Sequence, residues 1–420
     1  VLRRIEPGEV VLARRDPVDA ATLSAAAAIM DEVRAGGVDA LRAAAVRFGD
    51  LAPGDPLVVE PPALRAALAA LPAAARGVLE RTADRITTFA AAQRRGLADL
   101  DMPVPGGRAG IDYTPVDAAG CYAPGGRYPL PSSVLMTACT ARAAGVGTVW
   151  VASPRPAPET LAAAALAGAD GLLAVGGAQA VAALAYGVGV PAVDAIVGPG
   201  NRWVTAAKQR VAGRVAIEGL AGPSELVVIA DGGASAGLVA ADLLAQAEHD
   251  PDALVVLITT APEVADAVDA ALAEQLADLP TAEVARVAVR AGFCVVVPDL
   301  VRAAAVSDAL APEHLALHVA DPSAVPVRHY GAAFLGGGSA EVFGDYGAGP
   351  NHVLPTSGTA RSTGALSVVT FLRARTWLRL DDPGVLAADA AALARLEGLE
   401  AHARAADRRG ARREPRPQRG

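Results

Sequence analysis

The sequence predicts an α/β fold built on parallel sheets. Three observations carry that reading: Ala-rich helical runs come first, strand-like runs then alternate with helix-like runs, and the alternation occurs as two successive series. In order, ATLSAAAAIMDEVRAGG (21–37) and PPALRAALAALPAAARGVLERTADRITTFAAAQRR (61–95) are periodic and bounded by Gly or Pro, so helices are expected. After Asp101 the pattern changes. TVWVAS (148–153), LLAV (172–175) and AIVG (195–198) read as buried strands. Each is followed by a helix-like run: PETLAAAALAGA, AQAVAALAYG and NRWVTAAKQRVAG. The second series has strands in ELVVIAD (225–231), ALVVLITT (253–260) and CVVVPD (294–299), with helices over 235–250 and 262–279. Two such series suggest two sheets of similar build. A Gly-rich loop, Gly336 to Gly358, breaks the alternation, and helical segments are expected again from Val368 to Ala406.

The bulk numbers bound the function. The chain has 420 residues, 52% hydrophobic and 20% charged, enough for two or three domains with real cores. A net charge of −8 argues against nucleic acid or an anionic membrane as the main partner. Much of the basic charge sits in the polar stretch Arg404 to Arg419, expected to fray, and Lys208 is the only lysine. Cys121, Cys139 and Cys294 form no CxxC pair, which fits a reducing, cytoplasmic setting. The opening VLRRIEPGEVVLARRD has no apolar stretch of signal-peptide kind. Gly171 to Val193 is long and apolar enough for a membrane helix, but its glycines and Pro191 read better as strand, Gly-Gly turn and short helix.

Several short stretches carry chemistry-bearing residues. Gln246 and His249 are three apart near a helix end and share a face, where they can offer a metal two ligands. The plainer reading is a solvated His favoured by the helix dipole. In ALAPEHLALHV, Glu313 and His314 stand side by side at a strand entrance, the usual equipment for general base work; a Pro turn with two solvated side chains is the alternative. His318 and His329 read as structural. GDYGAGPNHVLPTSG (344–358) holds four glycines with Asp345 and His352, respectable metal ligands in a loop that needs an explanation. Glu397 and His402 lie five apart on an expected helix. The loops CYAPGGRYPLPSS (121–133) and VGPGNRWVTAAK (197–208) meet helices where free backbone N–H groups can face phosphate, yet neither is a GxGxxG fingerprint.

Taken together, CYAPGG, GGAQA, GPGN, AGPSEL, QAEHDPD, APEHL, GDYGAGPNHVLPT and EGLEAH resemble the histidinol dehydrogenase family in order and spacing, over nearly the whole chain. The resemblance implies two α/β domains with incomplete Rossmann-like parallel sheets, small helical terminal segments and an intertwined homodimer. It implies an N-terminal segment 1–20, a first domain of 21–115 with 225–366, a second of 116–224, and a C-terminal segment 367–420 that completes the partner's site. One zinc ion per subunit is implied on Gln246, His249, Asp345 and His402. The catalytic pair maps onto Glu313 and His314, and NAD contacts onto Tyr122, Gln179 and Asn201. Substrate contacts map onto Ser224, Gln246, His249, His314, Asp345, His352, Glu397 and His402. The implied activity is oxidation of L-histidinol to L-histidine with two NAD⁺. Rival readings are a related enzyme for another polyol or amino alcohol, a zinc hydrolase, which would not need Tyr122, Gln179 and Asn201, and a non-catalytic scaffold, which gains nothing from unpaired buried polar groups.

Overall fold

The computed structural model describes residues 1–10, 18–125 and 129–410. Parts of the N-terminal segment, the centre of the loop CYAPGGRYPLPSS and the end of the basic tail therefore lie outside the described residues. Strand β1 (Arg3–Arg4) comes first, then helix α1 (Ala20–Arg47), strand β2 (Val58–Val59), helices α2 (Pro61–Ala70) and α3 (Ala73–Arg95), and strands β3 (Leu100–Val104) and β4 (Gly107–Pro115). The first alternating series is β5 (Ala118–Tyr122), α4 (Pro131–Ala144), β6 (Thr148–Ala152), α5 (Pro158–Leu166), β7 (Gly171–Leu173), α6 (Gly177–Tyr186), β8 (Ala195–Val197), α7 (Arg202–Val211) and β9 (Ala216–Ile217). The second is β10 (Glu225–Ala230), α8 (Ala236–Ala247), β11 (Leu254–Thr259), α9 (Pro262–Asp278), α10 (Ala282–Ala291), β12 (Phe293–Val296), α11 (Leu300–Leu310), β13 (His314–His318) and β14 (Ala332–Leu335). Then follow α12 (Glu341–Asp345), β15 (Leu372–Leu380), α13 (Gly384–Leu396) and α14 (Glu400–Gly410).

The two series make two six-stranded sheets, ordered β2-β7-β6-β5-β8-β9 and β1-β12-β11-β10-β13-β14. Both are parallel except for β2, which runs antiparallel to β7. The plan is the same in each. The first strand of the series lies central, the next two build outward on one side, and the last two lie on the other. This is the dinucleotide-fold order short of its final strand, so each sheet is Rossmann-like and incomplete. Near-continuous apolar strands such as Leu226–Ala230 and Val255–Ile258 are fully buried because helices cover both faces. In the first sheet, alanines let α6 lie close: a Cβ on Gly120 of β5 would meet Leu184 at 2.9 Å. Asp19 caps α1 by accepting from Thr22 N at 2.8 Å, and Gly37, at φ 63°, kinks it.

Two expectations need correcting. The stretch Leu372–Leu380 is a strand and not part of a returning helix. It pairs antiparallel with β4, which also pairs with β3, in a compact unit made of Arg95–Pro115 and the chain from Leu372 onward. Its signal was the alternation in LRARTWLRL, a period of two and not of 3.6. The grouping of 21–115 with 225–366 also differs from the packing. Met30, Val33 and Leu41 of α1 share a core with α6 and α7, and β2 joins the first sheet. Gly171–Val193 is strand, turn and helix as read, and no described helix is long and apolar enough to cross a membrane.

Candidate functional site

The amino ends of β10 and β13 are neighbours, with Leu226 in register with His314. Glu225 is the first residue of β10 and uses its backbone in both directions. Its N–H donates to Glu313 Oε2 at 2.9 Å, and its carbonyl is 3.1 Å from His314 Nδ1. A carbonyl only accepts, so Nδ1 carries the proton and Nε2 keeps its lone pair. Nε2 is buried with no hydrogen-bond partner and lies 3.8 Å from Asp345 Oδ1. Burial pulls the His314 imidazole down to about 4, against the pull of Asp345 and the Glu225 carbonyl. It is a neutral base near pH 7. Burial pushes the Glu313 carboxyl well above its ordinary value; the N–H bond from Glu225 opposes this, while the charges of Glu225 and Asp345 add to it, and the Ser224 side chain also bonds to it.

The other predicted residues of this region gather here. Gln246 is fully buried at the end of α8, its Nε2 3.4 Å from Nδ1 of the exposed His249. Gln246 Oε1 is a second buried acceptor without a donor. His352 Nδ1 is 3.0 Å from the Asp345 carbonyl, and its Nε2 is 3.3 Å from Ser133 Oγ in α4. His249 and His352 both act electrostatically on His314. A cavity of about 490 Å³, lined by His314, Asp345, His352, Phe334 and Phe343, opens alongside. Among the described residues no three His, Cys, Asp or Glu side chains are grouped closely enough to hold a metal ion. Two donors of the expected set nevertheless suit one: the buried, bare Gln246 Oε1 and the Asp345 carboxylate, with the exposed His249 imidazole beside Gln246.

Glu397 and His402 belong to the other compact unit. They do not share a helix as expected. Glu397 caps the end of α13, Gly398 at φ 75° breaks the run, and His402 lies in α14. Both side chains are exposed. His318 is structural as read, its Nε2 2.8 Å from Asp242 Oδ2. His329 is half-buried, with its backbone N–H on Asp308.

Nothing in the sequence singles out Glu225, though it lies inside the AGPSEL motif, or Glu341. Glu341 is 2% exposed, both of its carboxyl oxygens are buried without a donor, and Oε2 lies 4.0 Å from His314 Nδ1. Burial, then the carboxylates of Asp345, Asp242 and Glu313, push it well above its ordinary value.

A second cleft, of about 400 Å³, lies at the carboxyl ends of the first sheet and holds Tyr122, Gln179 and Asn201 together. Tyr122 ends β5, and the turn after β8 leads to Asn201, so the cleft sits where the strand order reverses, the usual dinucleotide position. The backbones there touch: a Cβ on Gly198 would meet the Tyr122 carbonyl carbon at 2.9 Å. The expectation of free N–H groups does not hold for Gly198, Trp203 and Val204 at the second of these joints. Asn201 Oδ1 accepts from Trp203 N and Val204 N, at 3.0 and 3.3 Å, and Glu218 accepts from Gly198 N at 2.7 Å. Glu218 is held in turn by the buried Lys208 at 2.7 Å.

The histidinol dehydrogenase family model matches residues 12–410. Histidinol dehydrogenase of Nitratidesulfovibrio vulgaris is 46% identical over 415 residues, covering 95% of this chain and 94% of the relative. That of Thermus thermophilus is 48% identical over 342 residues, covering 80% and 82%. The crystal structure of histidinol dehydrogenase from Elizabethkingia anophelis matches with a TM-score of 0.91 at 30% identity, covering 97% of this chain and 98% of that one.

Proposed function

The chain belongs to the histidinol dehydrogenase family, and on that premise we propose how its own residues divide the work. It is an NAD-dependent oxidoreductase that takes L-histidinol through the aldehyde to L-histidine in histidine biosynthesis. The family match disfavours a different polyol or amino alcohol as substrate. Bound NAD⁺ accepts the hydride in each of the two oxidations.

One observation carries the assignment: His314 Nδ1 is fixed on the Glu225 carbonyl, which leaves a buried, bare Nε2. His314 takes the alcohol proton as the first hydride leaves. Glu313 takes a proton from the water that adds to the aldehyde, giving a gem-diol, and His314 acts again in the second oxidation. Burial, and then the charges of nearby carboxylates, raise the Glu313 carboxyl, so the arrival of a cationic substrate opposes that rise and favours its ionised, basic form. Gln246, His249 and Asp345, with the partner subunit's His402, would hold a zinc ion, which would supply a Lewis-acid anchor that orients the substrate. Ser224, His314 and His352 complete the substrate contacts, with the partner subunit's Glu397. The homodimer is supported by the exposure of Glu397 and His402, which have no side-chain partner among the described residues. Tyr122, Gln179 and Asn201 contact NAD. The three free, buried cysteines suit the cytoplasm.

The test is to titrate histidinol against excess NAD⁺ with zinc-loaded and chelated protein. Two NADH per histidinol are expected when zinc is present, and none after chelation until zinc is restored. Full activity of a metal-free preparation overturns the zinc assignment; one NADH per histidinol overturns the two-step assignment.

A further inference from the structure

The cleft at the carboxyl ends of the first sheet contains an anion of the protein's own. Asp50, 8% exposed, comes from the loop after α1 and reaches the amino end of α6. Its Oδ2 accepts from Gly176 N at 3.0 Å and from Gln179 Nε2 at 2.9 Å. The next amide, Gly177 N, donates to the Tyr122 hydroxyl at 3.2 Å. The end of α6 that would otherwise attract phosphate is thus already neutralised. With Nε2 committed to Asp50, Gln179 has its Oε1 left as an acceptor. No donor among the described residues is paired with Asp50 Oδ1. Two acceptors in one cleft call for donors on the ligand, such as the hydroxyls of a sugar. Arg155, the cation lining the cleft, has its guanidinium on the carbonyls of Gly49 and Gly125, at 2.8 and 3.3 Å.

We propose that Asp50 is the residue that selects the dinucleotide without a 2′-phosphate: with Gln179 it receives the adenosine ribose hydroxyls and repels a phosphate there. The proposal rests on the reading that this cleft holds NAD. In a standard dinucleotide fold an acidic residue about 20 positions after the glycine-rich turn serves the 2′-hydroxyl. Here no such fingerprint exists, and the carboxylate arrives from outside the sheet.

The experiment is direct binding, by calorimetry and by the fluorescence of Trp203 in the cleft, of NAD⁺ and of NADP⁺. The proteins are the unaltered chain, Asp50→Asn, Asp50→Ser, Gln179→Ala and Asn201→Ala. Asp50→Asn keeps an oxygen for Gly176 N and removes the charge; Asp50→Ser is the second variant should the first fail to fold. The preference for NAD⁺ over NADP⁺ is expected to fall about tenfold or more in either Asp50 variant. An unchanged preference in a folded Asp50 variant overturns the proposal. If Gln179→Ala and Asn201→Ala weaken NAD⁺ in that case, the cleft remains the cofactor's and only the role of Asp50 falls. If neither weakens NAD⁺, the cofactor reading falls and takes the proposal with it.

Discussion

The two parallel sheets share one strand plan and carry their candidate sites at opposite ends. The first sheet works from its carboxyl ends, where the loops after β5, β7 and β8 diverge around a cleft. The second works from its amino ends, where Glu225 and His314 open adjacent strands. The difference is one of rigidity. Loops leaving a switch point make a roomy crevice whose polar groups are side chains, tied by further side chains such as Asp50 and Glu218. Paired strand starts make a site whose framework is backbone, because Glu225 N and O hold the side chains of Glu313 and His314. The first arrangement suits a cosubstrate that must enter and leave twice; the second suits proton transfers that need fixed geometry.

The most severe way to break the second sheet's site is His314→Asn. It removes the bare Nε2, so both oxidations should slow by about 10²–10⁴-fold. Rapid-mixing absorbance with saturating histidinol and NAD⁺ reads this as loss of the first NADH; a first NADH at the unaltered rate sinks the assignment. The same position tests whether the amino-end site is completed from a second copy. His314→Ala and His402→Ala chains, each inactive alone, should regain partial activity after subunit exchange. Verified exchange with no recovery excludes the shared site.

Glu313→Gln should spare the first oxidation and slow the second. The amide keeps the shape but cannot take a proton from water. An early NADH per site followed by slow turnover is expected, with the second step down about 10²–10⁴-fold. If Glu313→Gln shows no early NADH while His314→Asn does, the two roles are reversed.

At the first sheet, Lys208→Met should cost stability. Lys208 and Glu218 are a buried pair, and Glu218 Oε2 has no partner already. Removing the cation strands the carboxylate at a cost of about 3–5 kcal/mol. A lowered denaturant midpoint and weaker NAD⁺ binding should appear together, because Glu218 holds the Gly198 turn. Loss of stability without loss of binding would show that the turn does not depend on that pair.

The contrast also explains what the sequence made legible. Buried strands such as ELVVIAD and their Ala-rich partners announce themselves locally, so both sheets could be read. The motifs around Gln246, Glu313 and Asp345 were visible as dense groups of chemistry-bearing residues, and the resemblance supplied their roles. Asp50 was not visible, because it acts on Gly176 across 126 positions. Glu225 was visible only as part of AGPSEL and its role was not, because its contribution to the pair comes from backbone atoms, 88 positions from Glu313. Glu341 lies in ordinary sequence and is notable only once folding has buried both oxygens without a donor. β15 was misread because its partner β4 lies far back in the chain, and antiparallel pairing at that distance leaves only a short alternation as a trace.

The mildest prediction sharpens the claim that backbone builds the amino-end site. In Glu225→Gln the backbone N–H and carbonyl remain, and the amide oxygen can still accept from Ser357 N, now 2.9 Å from Glu225 Oε1. The catalytic pair should stay in place and the rate at high pH should change less than about tenfold. What changes is charge. The Glu225 carboxyl, itself pushed up to about 7 by burial, is one of the groups that raise Glu313. Without that repulsion Glu313 ionises at lower pH. The second oxidation needs Glu313 ionised, so it fails as pH falls through the Glu313 pKa. Its acid limb should therefore move to lower pH in the variant. The first oxidation needs His314 neutral, which holds above about 4, and the largest influences on His314 are its burial, Asp345 and the Glu225 carbonyl. The acid limb of the first oxidation should not move. A pH series of the two half-reactions by rapid mixing separates the outcomes. Equal shifts in both limbs, or a collapse of the rate at every pH, would mean that the side chain and not the backbone of Glu225 holds the site.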